Sequence, residues 1–196
     1  MADAEYMKGW FRIPNIRPDG DRTIAEQMLG LERALAECAG KDVLDLGCAE
    51  GAISAEFARA GARRVVGIEL LETHLQVARK VCAGLPVEFM CAHLTDWMIA
   101  HQEPETFDTV LALGIIHKLN DPNVPLVWAA KSARDLLCFR APSRRDKAGK
   151  DYTIRSKFNR HAVCNVPATM REQGFVDEGT VAGVRGEGVQ YWRRVK

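Results

Sequence analysis

Asp45, Gly47, Gly51 and Glu69 are the residues whose types and spacing could hold a ligand. The stretch Val43-Leu44-Asp45-Leu46-Gly47-Cys48-Ala49-Glu50-Gly51 leads from an apolar run of strand length into a helix-forming one. Glycines flanking such a turn let backbone N–H groups approach a ligand closely, at the positive end of a helix dipole. A dinucleotide fingerprint needs G-x-G-x-x-G to clear room for a pyrophosphate. Here the spacing is G-x-x-x-G, and an acid stands two places before the first glycine. That acid would repel an anion and hold a cationic amino group. Glu69 ends the next apolar run, 24 residues after Asp45, where a carboxylate can accept two hydrogen bonds from a ribose diol.

These groups need a sheet to position them, and the chain spells one out. Apolar residues at helical spacing (Ile24, Met28, Leu31, Leu35) predict one helix over 22–38, with Gly40 as its stop. Strands follow at 43–46, 64–69, 87–91, 107–113 and 136–139. Between them lie helical stretches: 52–60 closed by Gly61, then 71–82 stopped by Gly84 and Pro86. Next come a short one capped by Thr95, and one opened by Asp121-Pro122 and running toward Arg134. From Arg140 to Lys150 the rhythm breaks into a basic surface loop carrying Arg144, Arg145, Lys147 and Lys150. Asn165, with Pro167, opens another helix, closed by Gly174. Two last strands, 176–184 and 189–195, are joined by Gly186-Glu187-Gly188. Strands alternating with helices predict a mainly parallel seven-stranded sheet with helices on both faces and one antiparallel C-terminal strand.

A nucleoside ligand with an ammonium, a sulfonium and no phosphate is S-adenosylmethionine, and the charges favour it over NAD. On these residues the chain resembles the class I S-adenosylmethionine-dependent methyltransferases. Val43 to Gly51 is similar to their first motif, Gly67-Ile68-Glu69 to the second, and the stretch from Phe107 to Leu119 to the fourth. The resemblance implies a single Rossmann-like domain over 21–196 after an irregular arm over 1–20. It implies that Asp45, Gly47, Cys48, Ala49 and Gly51 hold the methionine part, that Glu69 and Leu70 hold the ribose, and that Leu113 and Gly114 flank the sulfonium. The adenine would lie against Ala92, His93 and Leu94. The family's usual aspartate is replaced there by His93, so either its imidazole or Asp96 accepts from the adenine amine. S-adenosylhomocysteine would be the product. The arm from Gly9 to Gly20 resembles the lead-in of the wobble-uridine tRNA transferase subgroup.

His117 follows the fourth strand, where a base could take a proton from an acceptor hydroxyl; the plainer reading is that it only shapes the pocket. Trp10 and Phe11 either fold over the cofactor or pack an arm onto the core. The basic loop either binds substrate or is solvated, as does Arg160-His161. Lys118, His74 and His101 read as helix-surface residues. No metal is predicted, because strand four ends in Gly114 rather than in clustered acids, and the motif of DNA amino-group methylases is absent, so no DNA is expected. Among rivals, an oxidoreductase is disfavoured by the glycine spacing, whereas a silent cofactor-binding module stays open. A net charge of +1 gives little reason for RNA, so small molecules or sugars rank ahead of tRNA as acceptors. Six scattered cysteines without a C-x-x-C pair and no apolar run near eighteen residues predict a cytoplasmic protein with free thiols and no membrane span.

Overall fold

The apolar runs pair into one sheet. The computed structural model describes residues 9–142, 144–145 and 152–196. Its strands are β1 (Asp42–Leu46), β2 (Arg64–Glu69), β3 (Val87–Cys91), β4 (Phe107–Leu113), β5 (Ala133–Arg140), β6 (Phe175–Val181) and β7 (Val189–Arg194). They lie in the order β6-β7-β5-β4-β1-β2-β3. Pairings from β5 through β3 are parallel. β7 is antiparallel to both β5 and β6, so one C-terminal strand runs against the other six. The Rossmann-like architecture predicted from the alternation is therefore present.

Side chains alternate along each strand and split the core in two. Val43, Val65, Leu111, Cys138 and Tyr191 pack on one face against α2 (Glu32–Ala36) and α3 (Ala52–Arg59). Leu44, Leu46, Val66, Ile68, Leu137 and Trp192 pack on the other. That second face is covered by α5 (Leu94–Ala100), α6 (Asn123–Ser132) and α7 (Val166–Glu172). On the first face α4 (Glu72–Val81) adds Val77 and Val81. The chain winds from β1 outward to β3, then returns to β4 on the other side of β1. That reversal opens a crevice beyond the carboxyl end of β1, where doubly wound sheets bind ligands.

Several local expectations need correction. The helix expected over 22–38 is two, α1 (Ile24–Met28) and α2, because Gly30 takes φ +82° between them. Thr23 and Glu26 form a capping box at the start of α1, a T-x-x-E signal present in the sequence. α5 has His93 at its N-cap position, without a side-chain capping bond, and Thr95 lies inside the helix. Arg140 is the last residue of β5 and is buried, not part of a surface loop. Beyond it Arg144–Arg145, Tyr152–Arg155 and Val163–Asn165 form a small antiparallel sheet; Lys147 and Lys150 lie outside the described residues. His74 is buried rather than on a helix surface. Among the described residues no helix is long and apolar enough to cross a membrane.

Candidate functional site

The crevice is built on the turn after β1. Gly47, Ala49 and Gly51 all take positive φ, at +74°, +48° and +69°. A Cβ on Gly51 would sit 2.9 Å from both Ala78 Cβ and Phe89 Cζ, so only glycine fits between α3 and α4. The turn is pinned to β2: the N–H groups of Gly47 and Cys48 both donate to Ile68 O, at 2.8 and 3.1 Å. Cys48 is buried beneath it.

Asp45 lies under this turn, 2% exposed, with Oδ2 accepting from Ser54 Oγ at 2.7 Å. Burial pushes its carboxyl up to about 6, although the Ser54 hydroxyl pulls the other way. Glu69 stands at the end of β2. Its Oε2 accepts from Ala49 N at 3.1 Å, and its Oε1 from Leu70 N and Leu71 N at 2.9 and 3.0 Å. One carboxylate thus ties the glycine turn to the start of α4. Leu70 itself is exposed.

Two acids and a histidine surround the turn. Glu50, wholly buried, accepts from the backbone N–H of Trp10 at 2.7 Å and of Phe11 at 3.2 Å. The N-terminal segment is thereby strapped over the crevice, with Phe11 buried in the core. Trp10 carries Arg22 and Lys118 over its ring, each 4.4 Å from the centroid. Of the two sequence readings for Trp10 and Phe11, packing on the core holds for Phe11, and both residues line the cavity in the crevice. His74 has Nε2 3.7 Å from Glu50 and Nδ1 3.9 Å from Glu69. Trp10, Gln27, Asp45, Gly47, Leu113 and Arg140 are among the residues enclosing a small cavity here, of about 20 Å³.

Residues 43–134 match a family model described as a methyltransferase domain. The ubiquinone biosynthesis O-methyltransferase of Neisseria meningitidis serogroup A is 36% identical over 90 residues, covering 44% of this chain and 37% of that protein. The matched stretch is thus well under half of that relative's length. A putative S-adenosylmethionine-dependent methyltransferase from Listeria monocytogenes superposes with a TM-score of 0.68 at 18% identity, covering 88% of this chain and 99% of the other. The N-terminal domain of EvdMO1, solved with S-adenosylhomocysteine and D-fucose, gives 0.66 at 20% identity, covering 98% and 94%. The chain shares its fold with these solved structures.

Within this fold the other predicted residues scatter. Ala92 is partly buried and its N–H donates to Glu69 O at 2.9 Å. His93 is half exposed, its Nδ1 3.5 Å from Asp96 Oδ2. The Leu94 side chain is in the core. Leu113 lines the cavity beside Asp45. Gly114, at φ +71°, has nothing within 4 Å of where a Cβ would be, so open space adjoins the end of β4. A larger cavity of about 490 Å³, lined by Thr106, Ala133 and Arg134, lies at the opposite, amino edge of the strands, away from every predicted site residue. Among the described residues no three His, Cys, Asp or Glu side chains are grouped to hold a metal.

His117 sits in a single turn of 3-10 helix (Ile116–Lys118) after β4, with Nδ1 buried and unpartnered. Burial, then the charges of Lys118 and Lys157, push its pKa down to about 4. A base that weak removes few protons near neutrality. A depressed pKa means the folded chain resists protonation: the stability this residue contributes is full above its ordinary value of 6.5 and is lost as pH falls toward 4. His117→Gln should therefore flatten the decline of the melting temperature between pH 6.5 and 4. An unchanged decline in melts across that window would show that the ring is not held neutral.

Proposed function

We propose that the chain is an S-adenosylmethionine-dependent methyltransferase of a small-molecule acceptor. The observation that carries this is Asp45, an unpaired carboxylate buried at the switch point beneath a glycine turn. It suits a ligand that brings its own positive charge into the crevice. When bound, S-adenosylmethionine supplies a methyl group on a sulfonium leaving group.

The chain's own residues would align and enclose. Asp45 holds the ammonium, Glu69 the ribose diol, and Gly47, Cys48, Ala49 and Gly51 let the backbone come close. Ala92 and His93 lie toward the adenine, and Leu113 and Gly114 toward the sulfur. The strap of Trp10 and Phe11 lifts to admit the cofactor and excludes water once closed over it. Alignment of donor and acceptor is worth several powers of ten in rate, so no triad or metal is required. His117, neutral at physiological pH, orients an acceptor hydroxyl rather than ionising it.

Small molecules or sugars remain the favoured acceptors, since the curated relative acts in ubiquinone biosynthesis by its name. The tRNA reading rests on the segment from Gly9 to Gly20. That segment has another account here, because its backbone is engaged by Glu50 and its Phe11 and Ile13 are core residues. A cytoplasmic location is supported by six free cysteines, five of them buried. Thermal melts with S-adenosylhomocysteine and with NAD test the cofactor. At a hundred times its dissociation constant the right ligand stabilises by about 2.7 kcal/mol. A shift with S-adenosylhomocysteine and none with NAD is expected; the reverse would end the proposal. Assays of labelled methyl transfer to phenolic and sugar acceptors then separate an enzyme from a silent binding module, which would bind and never turn over.

A further inference from the structure

The cavity beneath the strap holds a second buried charge that the cofactor reading leaves unused. Arg140, at the carboxyl end of β5, is 3% exposed and lines the same cavity as Asp45. Its Nη1 donates to Gln27 O at 3.1 Å and its Nη2 to Gln27 Oε1 at 2.9 Å. The guanidinium is thus held by neutral groups, and no carboxylate among the described residues forms an ion pair with it. Asp45 is likewise held by a hydroxyl. Burial lowers the arginine's pKa and raises the aspartate's; Glu187 acts on Arg140 more strongly than Asp45 does, and Arg140 and Asp45 oppose each other's burial only weakly across the cavity, without forming an ion pair. Burying opposite charges apart costs several kcal/mol unless something bridges them.

Gln27 supplies an independent sign. It is 2% exposed, and its Nε2 is buried with no hydrogen-bond partner. Arginine can only donate, so the amide oxygen must be the atom that faces Arg140. The NH₂ is therefore a donor waiting in the cavity wall for an acceptor. Leaving such a group unsatisfied costs about 1–3 kcal/mol.

We infer that Arg140 and Gln27 bind the carboxylate of the cofactor's amino-acid end while Asp45 binds its ammonium, so that the cavity reads a zwitterion by opposite charges set on β5 and β1. This rests on the cofactor reading above and extends it to two residues 113 positions apart in the chain. It also gives the segment carrying α1 a part in the site, through Gln27. An amino-acid end is the ligand chemistry that satisfies all three groups together: a bare amine leaves Arg140 and Gln27 unmatched, and a bare carboxylate leaves Asp45 unmatched.

The test is calorimetric binding of S-adenosylhomocysteine and of its decarboxylated analogue, which keeps the amine and lacks the carboxylate. The natural chain should prefer the full ligand by about tenfold or more, the scale of a charge-assisted hydrogen bond. Arg140→Gln should erase that preference while binding the analogue as before. Arg140 also anchors the backbone of Gln27, so Gln27→Glu serves as a second variant. It places a carboxylate against the guanidinium, should fold at least as stably, and should also lose the preference. Equal affinity of the natural chain for both ligands would overturn the inference and leave the cofactor reading standing, as would a preference that survives in a folded Arg140→Gln or Gln27→Glu. Failure of the natural chain to bind either ligand would overturn both.

Discussion

Asp45→Asn should melt at a higher temperature than the natural chain at pH 8 while binding S-adenosylhomocysteine about a hundredfold more weakly. Burial raises the pKa of Asp45 from an ordinary 3.8 to about 6, so the folded chain holds this proton more tightly than the unfolded chain does. The stability associated with the protonated form is complete below about 3.8 and is lost as pH rises through about 6. Above that, the buried charge costs about 3 kcal/mol, at 1.36 kcal/mol for each pKa unit. Asparagine keeps an acceptor for Ser54 Oγ and carries no charge. The gain should be about 6–12 °C at pH 8 for a chain of this size, shrink below pH 6, and vanish near pH 4. Loss of the charge-assisted contact to the ammonium accounts for the weaker binding, at about 3 kcal/mol. Melts at three pH values and one titration measure both halves. A variant less stable at pH 8, or one that binds unchanged, would mean that Asp45 is a structural residue only.

Glu69→Gln should fail differently. A carboxylate offers about four acceptor positions, and three backbone N–H groups already use this one. A ribose diol must share or displace them. The glutamine amide has a single oxygen; if that faces Leu70 and Leu71, its NH₂ confronts the N–H of Ala49. That clash should cost about 1–3 kcal/mol of stability and weaken nucleoside binding about a hundredfold. The loss should be equal for S-adenosylhomocysteine and for 5′-methylthioadenosine, because both carry the ribose. Asp45→Asn should spare 5′-methylthioadenosine, which has no amino-acid end. Titrating both ligands into both variants gives a two-by-two comparison. Identical patterns in the two rows would sink the division of labour between these acids.

The sheet was legible because its strands are short apolar runs cut off by glycines and helix signals, as at Val43 to Gly47 or Arg64 to Glu69. The glycine turn and Glu69 were legible for the same reason: they are local, and their spacing is set by a strand, a turn and a helix. Gln27 was not, because its meaning depends on Arg140, 113 residues away. Arg140 was misread since a basic residue beside a run of basic residues reads as solvated, and nothing nearby shows that β5 buries it. Glu50 was in plain view within the turn, yet spacing treats it as filler between glycines. Its partners are backbone groups of Trp10 and Phe11, which leave no side-chain signature. His74 follows the same rule: the burial of one face of α4 is readable from Leu75 and Ala78, whereas which neighbours meet it is not.

The Glu50 latch bears on any affinity measured in solution. In the proposed opening of the strap, that carboxylate releases the backbone amides of Trp10 and Phe11, which line the cavity beside Asp45. At about 1.5–3 kcal/mol for each charge-assisted bond, the receptive conformer makes up on the order of one molecule in a hundred to one in ten thousand. Observed dissociation constants then understate the intrinsic grip of the pocket by the inverse of that fraction. A partner that held residues 10 and 11 away would sharpen binding without touching the ligand.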